Sequence, residues 1–183
     1  MKRAIVISFA FLAAVFASPA TAAAPGSFTV LLAGGSASNN IHVWLTSDGH
    51  DYVIDSIVPL EVGGEVCTNP EGNPNELICG APPIAGFEMN ADGGDDTVTV
   101  SKGVTVPVTV RGGTGRDILV GGSGDDKLIG GPGPDRLVGG PGDDVLIGGP
   151  GSDVLIGGSG NDTLLSGPGF DFTRGGSGKN VIK

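Results

Sequence analysis

A pattern of apolar and glycine positions with a period of nine residues runs from Gly112 almost to the end of the 183-residue chain. Six consecutive units, 112–165, carry glycine at the first, second and fourth places, aspartate at the sixth and leucine at the eighth. Each unit therefore predicts a six-residue turn followed by a three-residue strand, and a fixed period of this kind indicates a solenoid. The eighth places form a predicted core column: Leu119, Leu128, Leu137, Leu146, Leu155 and Leu164.

The turns of these units predict clusters of oxygen atoms. Glycine permits positive φ and lets carbonyl groups approach where a side chain would obstruct them. A hard cation such as calcium takes six to eight oxygens from carboxylates and carbonyls, whereas zinc, copper and iron favour the thiolates and imidazoles that the units lack. The candidate ligands are the sixth-place aspartates and the first-place glycines: Asp117, Asp126, Asp135, Asp144, Asp153, Asp162, Asp171, Gly112, Gly121, Gly130, Gly139, Gly148 and Gly157.

Two units per turn of the coil would bring each loop beside the second loop after it. One row of carboxylates would then start at Asp117 and the other at Asp126, and adjacent loops would enclose about five cation sites. A weaker sixth site would include Asn180, which replaces the aspartate of the last unit. The last two units, 166–183, depart from the pattern and are expected to act as caps, with Phe170, Phe172 and Ile182 closing the leucine column.

These residues resemble the haemolysin-type calcium-binding, or RTX, repeat family, whose units coil into a parallel β-roll with calcium between successive loops. The resemblance covers about two-fifths of the chain. It implies an all-β fold in which an RTX solenoid over 112–183 follows an irregular β-rich region over 25–111. The alternative is a disordered tract rich in glycine and proline, but disorder does not require aspartate and leucine in phase.

The first 24 residues have the layout of a secretory signal peptide. Lys2 and Arg3 precede an apolar run from Ala4 to Ala17, which is followed by the small residues Ser18-Pro19-Ala20-Thr21-Ala22. The run is too short for a membrane span, so we expect a secreted, extracellular protein without membrane insertion.

Short alternating stretches predict strands between residues 26 and 111: 28–32, 41–45, 52–55, 77–79, 87–89, 97–100 and 104–110. The segment Asp92-Gly93-Gly94-Asp95-Asp96 falls in the phase of the repeat, so the coil is expected to begin there. Together with Asn39-Asn40, Tyr52-Val53-Ile54-Asp55 and the paired Cys67 and Cys79, this acidic segment resembles the N-terminal half of small exported calcium-binding proteins of actinobacteria.

Two cysteines, Cys67 and Cys79, flank a loop rich in Asn, Pro and Gly. An even count in an exported chain predicts a disulfide. A redox or metal pair would need closer spacing or a histidine partner, and His42 and His50 show no ligand spacing with the cysteines.

The charge and the motifs narrow the function. A formal net charge of -10 argues against nucleic acid or an anionic membrane as partner. HExxH and GxSxG motifs are absent. Asp48, Asp51 and Asp55 could supply a pair of catalytic carboxylates, but isolated carboxylates near turns usually face solvent or form the turn. A non-enzymatic calcium-binding structural or interaction module is therefore expected, and the alternative is a hydrolase with an unrecognised site in the N-terminal half.

Overall fold

The structure is a computed structural model that describes the backbone of residues 28–33, 38–45, 52–56, 61–63, 67–68, 76–79 and 84–183, with side chains for 38–43 and 85–183. The predicted signal peptide lies outside these residues, as do the side chains of the two cysteines. Within the described ranges the chain forms strands and turns, and none of it forms a helix that could cross a bilayer.

Short strands make up most of the described residues, and glycine-rich turns separate those from β7 onward. Their bounds are β1 Phe28–Ala33, β2 Asn40–Leu45, β3 Tyr52–Ser56, β4 Glu61–Gly63, β5 Cys67–Thr68, β6 Glu76–Cys79, β7 Ile84–Asn90, β8 Thr97–Val100, β9 Val108–Arg111, β10 Ile118–Val120, β11 Lys127–Ile129, β12 Arg136–Pro141, β13 Val145–Ile147, β14 Val154–Ser159, β15 Thr163–Leu165, β16 Phe172–Ser177 and β17 Val181–Ile182.

From β7 onward, successive strands alternate between two sheets, so that two strands make one turn of a coil. One sheet has the order β17-β15-β13-β11-β9-β7-β1-β4, and the other has the order β16-β14-β12-β10-β8-β2-β3-β6-β5. Pairing is parallel from β7 and β8 to the end of the chain. This architecture confirms the predicted all-β fold with a parallel β-roll.

The coil also includes strands that precede the array, the name used here for the six repeat units of residues 112–165. β1 pairs in parallel with β7, and β2 pairs in parallel with β8, so both belong to a turn that precedes the Asp92 segment. The prediction that the coil begins at Asp92 was therefore wrong by one turn. Antiparallel pairs extend the same two sheets. β4 pairs with β1 in one sheet, and β2 with β3, β3 with β6 and β6 with β5 in the other.

The core is the predicted column of leucines between the two sheets. All six leucines are fully buried. They stack in register along each sheet, Leu119 with Leu137 and Leu155 in one, and Leu128 with Leu146 and Leu164 in the other. Val98 and Val110 continue the two columns toward the N-terminal end. Each layer of the core is thus one apolar side chain from each sheet.

The predicted aromatic cap on this column was wrong. Phe170 is 93% exposed and Phe172 is 58% exposed. The fifth place lies in a turn, and the seventh place is next to the inward eighth place on a strand, where side chains alternate between faces. Ile182 does occupy the column, in register with Leu164, but it is half exposed.

Shortening a core leucine should destabilise the coil. We expect Leu146→Ala to lower the free energy of unfolding by about 2–5 kcal/mol, because the layers above and below cannot collapse into the space. Denaturant unfolding in calcium measures the change. Val145→Ala, at the neighbouring outward position, should cost clearly less, and equal losses for the two variants would contradict the stacked core.

Candidate metal centre

The loops of adjacent turns lie so close that side chains are excluded from several glycine positions. Gly131 has φ of 116° and Gly133 has φ of 146°, a region that only glycine adopts readily. A Cβ atom on Gly133 would lie 1.6 Å from the carbonyl oxygen of Gly115 in the preceding turn. Carbonyl groups therefore point along the coil from one loop toward the next, as the repeat pattern predicted.

The sixth-place aspartates form two hydrogen-bonded ladders with a spacing of 18 residues. In one row, the N–H of Asp117 donates to Oδ1 of Asp135, and the N–H of Asp135 donates to Oδ1 of Asp153, both at 2.9 Å. In the other row, Asp126 donates in the same way to Asp144 at 2.9 Å. The structure thus brings the predicted carboxylates together in the two predicted rows, one at each edge of the coil.

These carboxylates are buried, and most have one oxygen without a hydrogen-bond donor. Six of the sixth-place aspartates are at most 2% exposed: Asp117, Asp126, Asp135, Asp144, Asp153 and Asp162. Oδ1 is satisfied by the ladder, but Oδ2 has no partner in Asp117, Asp135, Asp144, Asp153 and Asp162. Asp126 differs, because its Oδ2 accepts the N–H of Gly122 at 2.7 Å. A buried charged oxygen without a donor is costly unless a cation compensates it.

The unpartnered oxygens converge with carbonyl groups on the first-place glycines. A Cβ atom on Gly139 would lie 2.2 Å from Oδ2 of Asp144 and 2.7 Å from the carbonyl oxygen of Gly157 in the next turn. Gly121, Gly130, Gly148 and Gly157 have equivalent neighbours. The first-place glycine is therefore required for space even where its φ is not positive.

Asn180 shows what the aspartates lack. Its Oδ1 accepts the N–H of Asp162 at 2.8 Å, so it continues the ladder. Its Nδ2 lies against Gly175, where an aspartate would place Oδ2, and donates to the carbonyl oxygen of Gly176 at 3.3 Å. An amide supplies a hydrogen at this position, whereas a carboxylate presents an oxygen to other oxygens. The carboxylate loops therefore suit a cation.

The kinds of ligand favour calcium. Among residues 38–43 and 85–183, no three side chains of His, Cys, Asp or Glu converge on one point. Backbone carbonyls must then supply much of any coordination shell, beside one or two carboxylates. Calcium accepts such mixed oxygen shells, whereas structural zinc sites use four thiolate or imidazole ligands.

Burial raises the pKa values of these carboxyl groups. Desolvation raises the pKa of Asp126 to about 7 against the hydrogen bonds from Val108 and Gly122, and nearby Asp144 and Asp125 raise it further. Desolvation likewise raises the pKa of Asp135 and of Asp144 to about 6, opposed by one backbone hydrogen bond each. Nearby carboxylates are the other source of the rise in pKa. They include neighbours in the same row and the fifth-place Asp125 and Asp143.

Calcium affinity should fall as the pH is lowered. Because these carboxyl groups have folded-state pKa values above the usual 3.8, they stabilise the cation-free fold fully below about pH 4 and lose that contribution as the pH rises through about 6–7. Calcium requires the deprotonated form, so binding at about pH 6 should release protons. Calorimetry in two buffers of different ionisation enthalpy measures this release, and an affinity that is equal at about pH 5.5 and pH 7.5 would contradict it.

A second ladder, not predicted from the sequence, runs through the fifth places of one edge. The N–H of Asp143 donates to Oδ1 of Asp125 at 2.9 Å, and the N–H of Asn161 donates to Oδ1 of Asp143 at 2.8 Å. Its direction is opposite to that of the sixth-place ladder, and its side chains are exposed. The signal was the recurrence of Asp or Asn at a spacing of 18 residues.

Comparison with known proteins agrees with this chemistry. Residues 109–173 match the family model described as the RTX calcium-binding nonapeptide repeat (4 copies), in the overlapping segments 109–137, 129–164 and 138–173. The array therefore consists of RTX calcium-binding repeats, and the predicted cofactor, calcium, is confirmed at the level of the repeat. No curated protein and no solved structure matches the chain.

Proposed function

We propose that the chain is an exported protein whose β-roll is held together by calcium between adjacent loops, and that it serves a structural or interaction role rather than an enzymatic one. The observation that carries the proposal is the row of buried carboxylates whose Oδ2 atoms lack a donor. The charge of calcium would compensate these oxygens and the repulsion along each row. Each interior aspartate would serve the loops on both of its sides.

The ligands in this proposal are the predicted ones. The sixth-place carboxylates would bind through Oδ2, while their Oδ1 atoms keep the backbone of the preceding loop in register. The carbonyl groups that converge at the first-place glycines from Gly121 to Gly157 would complete the shell, and Gly112 leaves the same space beside Oδ2 of Asp117. The glycines exclude side chains from this space.

The expected energy is large enough to decide folding. A site at ten times its dissociation constant adds about 1.4 kcal/mol, so five sites add about 7 kcal/mol. That is comparable to the stability of a whole domain. Cation-free loops combine flexible glycines with repelling carboxylates, so the array should fold only where calcium is abundant.

Export is supported by the sequence of the first 24 residues. An N-terminal signal would carry the chain across the membrane while low cytosolic calcium leaves the sites unfilled. Deleting residues 2–22 should trap the protein inside the cell, whereas deleting 175–183 should leave export intact. Secretion of the N-terminal deletion would contradict this route.

The backbone pairing supports the predicted disulfide. Cys67 and Cys79 are direct partners in the antiparallel pair of β5 and β6. Opposed residues in such a pair have Cα atoms about 4.5–5.5 Å apart, within the range that a disulfide spans. Thiol alkylation with and without reductant, followed by mass measurement, tests the bond.

Calorimetric titration of the purified chain with calcium tests the proposed function. We expect binding in the range of about 0.1–1 mM, as for extracellular calcium modules, and no substitution by magnesium, which demands a small octahedral cage. Absence of calcium binding would refute the proposal. A screen on ester, glycoside and peptide substrates checks the hydrolase alternative, which turnover would favour.

A further inference from the structure

A loop outside the matched repeats stacks on the array as the repeats stack on one another. Residues 91–96 precede the matched segment 109–173. A Cβ atom on Gly113 would lie 1.7 Å from the carbonyl oxygen of Asp92, and one on Gly115 would lie 1.9 Å from that of Gly94. The second and fourth carbonyls of this loop therefore point at the loop 112–117, as they do between array loops.

Asp96 in this loop has the same incomplete hydrogen bonding as the array aspartates. It is 1% exposed, and its N–H donates to Oδ1 of Asp117 at 2.9 Å, which extends the ladder by one turn. Oδ2 of Asp96 and Oδ2 of Asp117 are both buried without a hydrogen-bond partner. Two buried carboxylate oxygens without donors, one in each of two adjacent loops, call for positive charge.

The row that contains Asp96 begins with the side-chain amide of Asn39, in the turn that precedes this loop. Asn39 is 2% exposed, and its Nδ2 donates to Oδ1 of Asp96 and to the carbonyl oxygen of Ala91, both at 2.9 Å. Asn39 thus supplies hydrogens at the start of one row, as Asn180 does at the end of the other. Asp96 is therefore the first residue of this row whose buried carboxylate oxygen a cation would have to compensate.

The loop carries more negative charge than an array loop. Asp92, with φ of 69°, stands at the second place, where every array unit has glycine. Its Oδ1 accepts Nδ2 of Asn90 at 2.7 Å, and Oδ1 of Asp95 accepts the N–H of Arg116 at 2.9 Å. Both carboxylates are exposed. They add to the negative field around the buried pair.

We propose that loops 91–96 and 112–117 enclose a further calcium site, which couples the turn before the array to the array itself. The ligands are the carboxylates of Asp96 and Asp117 and the carbonyl group of Gly94, whereas the carbonyl group of Asp92 accepts the N–H of Thr114 at 3.0 Å. The inference rests on the proposed function, since it assigns to this loop the cation that the array binds. Calcium binding at this site would order the segment that leads to the first repeat, including β8, which follows Asp96 directly.

Asp96→Asn tests the site in the full chain. The amide replaces the unpartnered oxygen with a donor, as at Asn39 and Asn180, so the coil should remain folded in calcium while the calorimetric stoichiometry falls by one ion. Asp125→Asn removes the same charge from an exposed fifth place and should leave the stoichiometry unchanged. An unchanged stoichiometry in Asp96→Asn, with calcium still bound by the array, would overturn this site but not the proposed function.

A measurement on the unaltered chain covers the case in which Asp96→Asn fails to fold. Backbone amide resonances of Gly93, Gly94 and Asp96 should shift during a calcium titration together with those of the array. Array resonances that shift while these three stay constant at saturation would refute the site. If no resonance shifts, the proposed function fails as well.

Discussion

Removal of calcium by a chelator should abolish most of the β-structure of residues 112–183. The sites together contribute about 7 kcal/mol when calcium is at ten times the dissociation constant. Without that contribution, buried carboxylates with raised pKa values face one another in loops rich in glycine. Circular dichroism during chelation and calcium restoration measures the loss and its reversal.

The matched control for chelation is the same experiment with magnesium in place of restored calcium. Magnesium should leave the spectrum of the chelated protein unchanged, because it holds its own waters and requires a regular octahedron. A β-spectrum that survives chelation would show that the loops are stable without a cation, and it would contradict a calcium-dependent fold.

Loss of an interior carboxylate should cost two ions at once. Asp135→Ala removes a ligand from the loops on both sides and the acceptor for the N–H of Asp117. We expect a loss of about 3–4 kcal/mol in calcium, from two sites and one hydrogen bond. Asp144→Ala should behave alike in the other row. Calorimetric stoichiometry and denaturant unfolding measure the two losses.

Asn180→Ala is the comparison at the end of a row. It removes the acceptor for the N–H of Asp162 and an amide that bonds to Gly176. The variant should lose at most one ion and about 1 kcal/mol. Equal losses of calcium in all three variants would contradict the alternating rows.

The array could be predicted from the sequence because one residue type repeats at each structural position. Leucine at every eighth place fixes the core column, and aspartate at every sixth place fixes the two ladders once two strands make a turn. The period leaves little freedom in register, since a shift by one residue would place leucine outside the core.

The first turns could not be predicted in the same way, because their places are filled differently. Ala91 and Asp92 stand where the array has two glycines, and Asn39 stands where it has aspartate. The pairings of β1 with β7 and of β2 with β8 join residues more than 50 positions apart, with other strands between them in the chain. A nine-residue period does not predict a pairing between residues so far apart in the chain.

The unpartnered Oδ2 atoms also required the structure. A sixth-place aspartate predicts a ligand, but only the geometry shows that one oxygen is used by the backbone of the preceding loop and the other is left without a donor. The exposed side chains of Phe170 and Phe172 show that residue type alone can also mislead a prediction. Their apolar character suggested a cap, but their places in the unit point away from the core.

Anomalous diffraction from crystals grown in calcium tests most directly whether calcium lies between the loops. We predict calcium peaks between adjacent loops along both rows, each in contact with the Oδ2 atom of a sixth-place aspartate such as Asp135 or Asp144. Peaks confined to the exposed fifth-place carboxylates Asp125 and Asp143, or a folded array without peaks between its loops, would contradict this prediction.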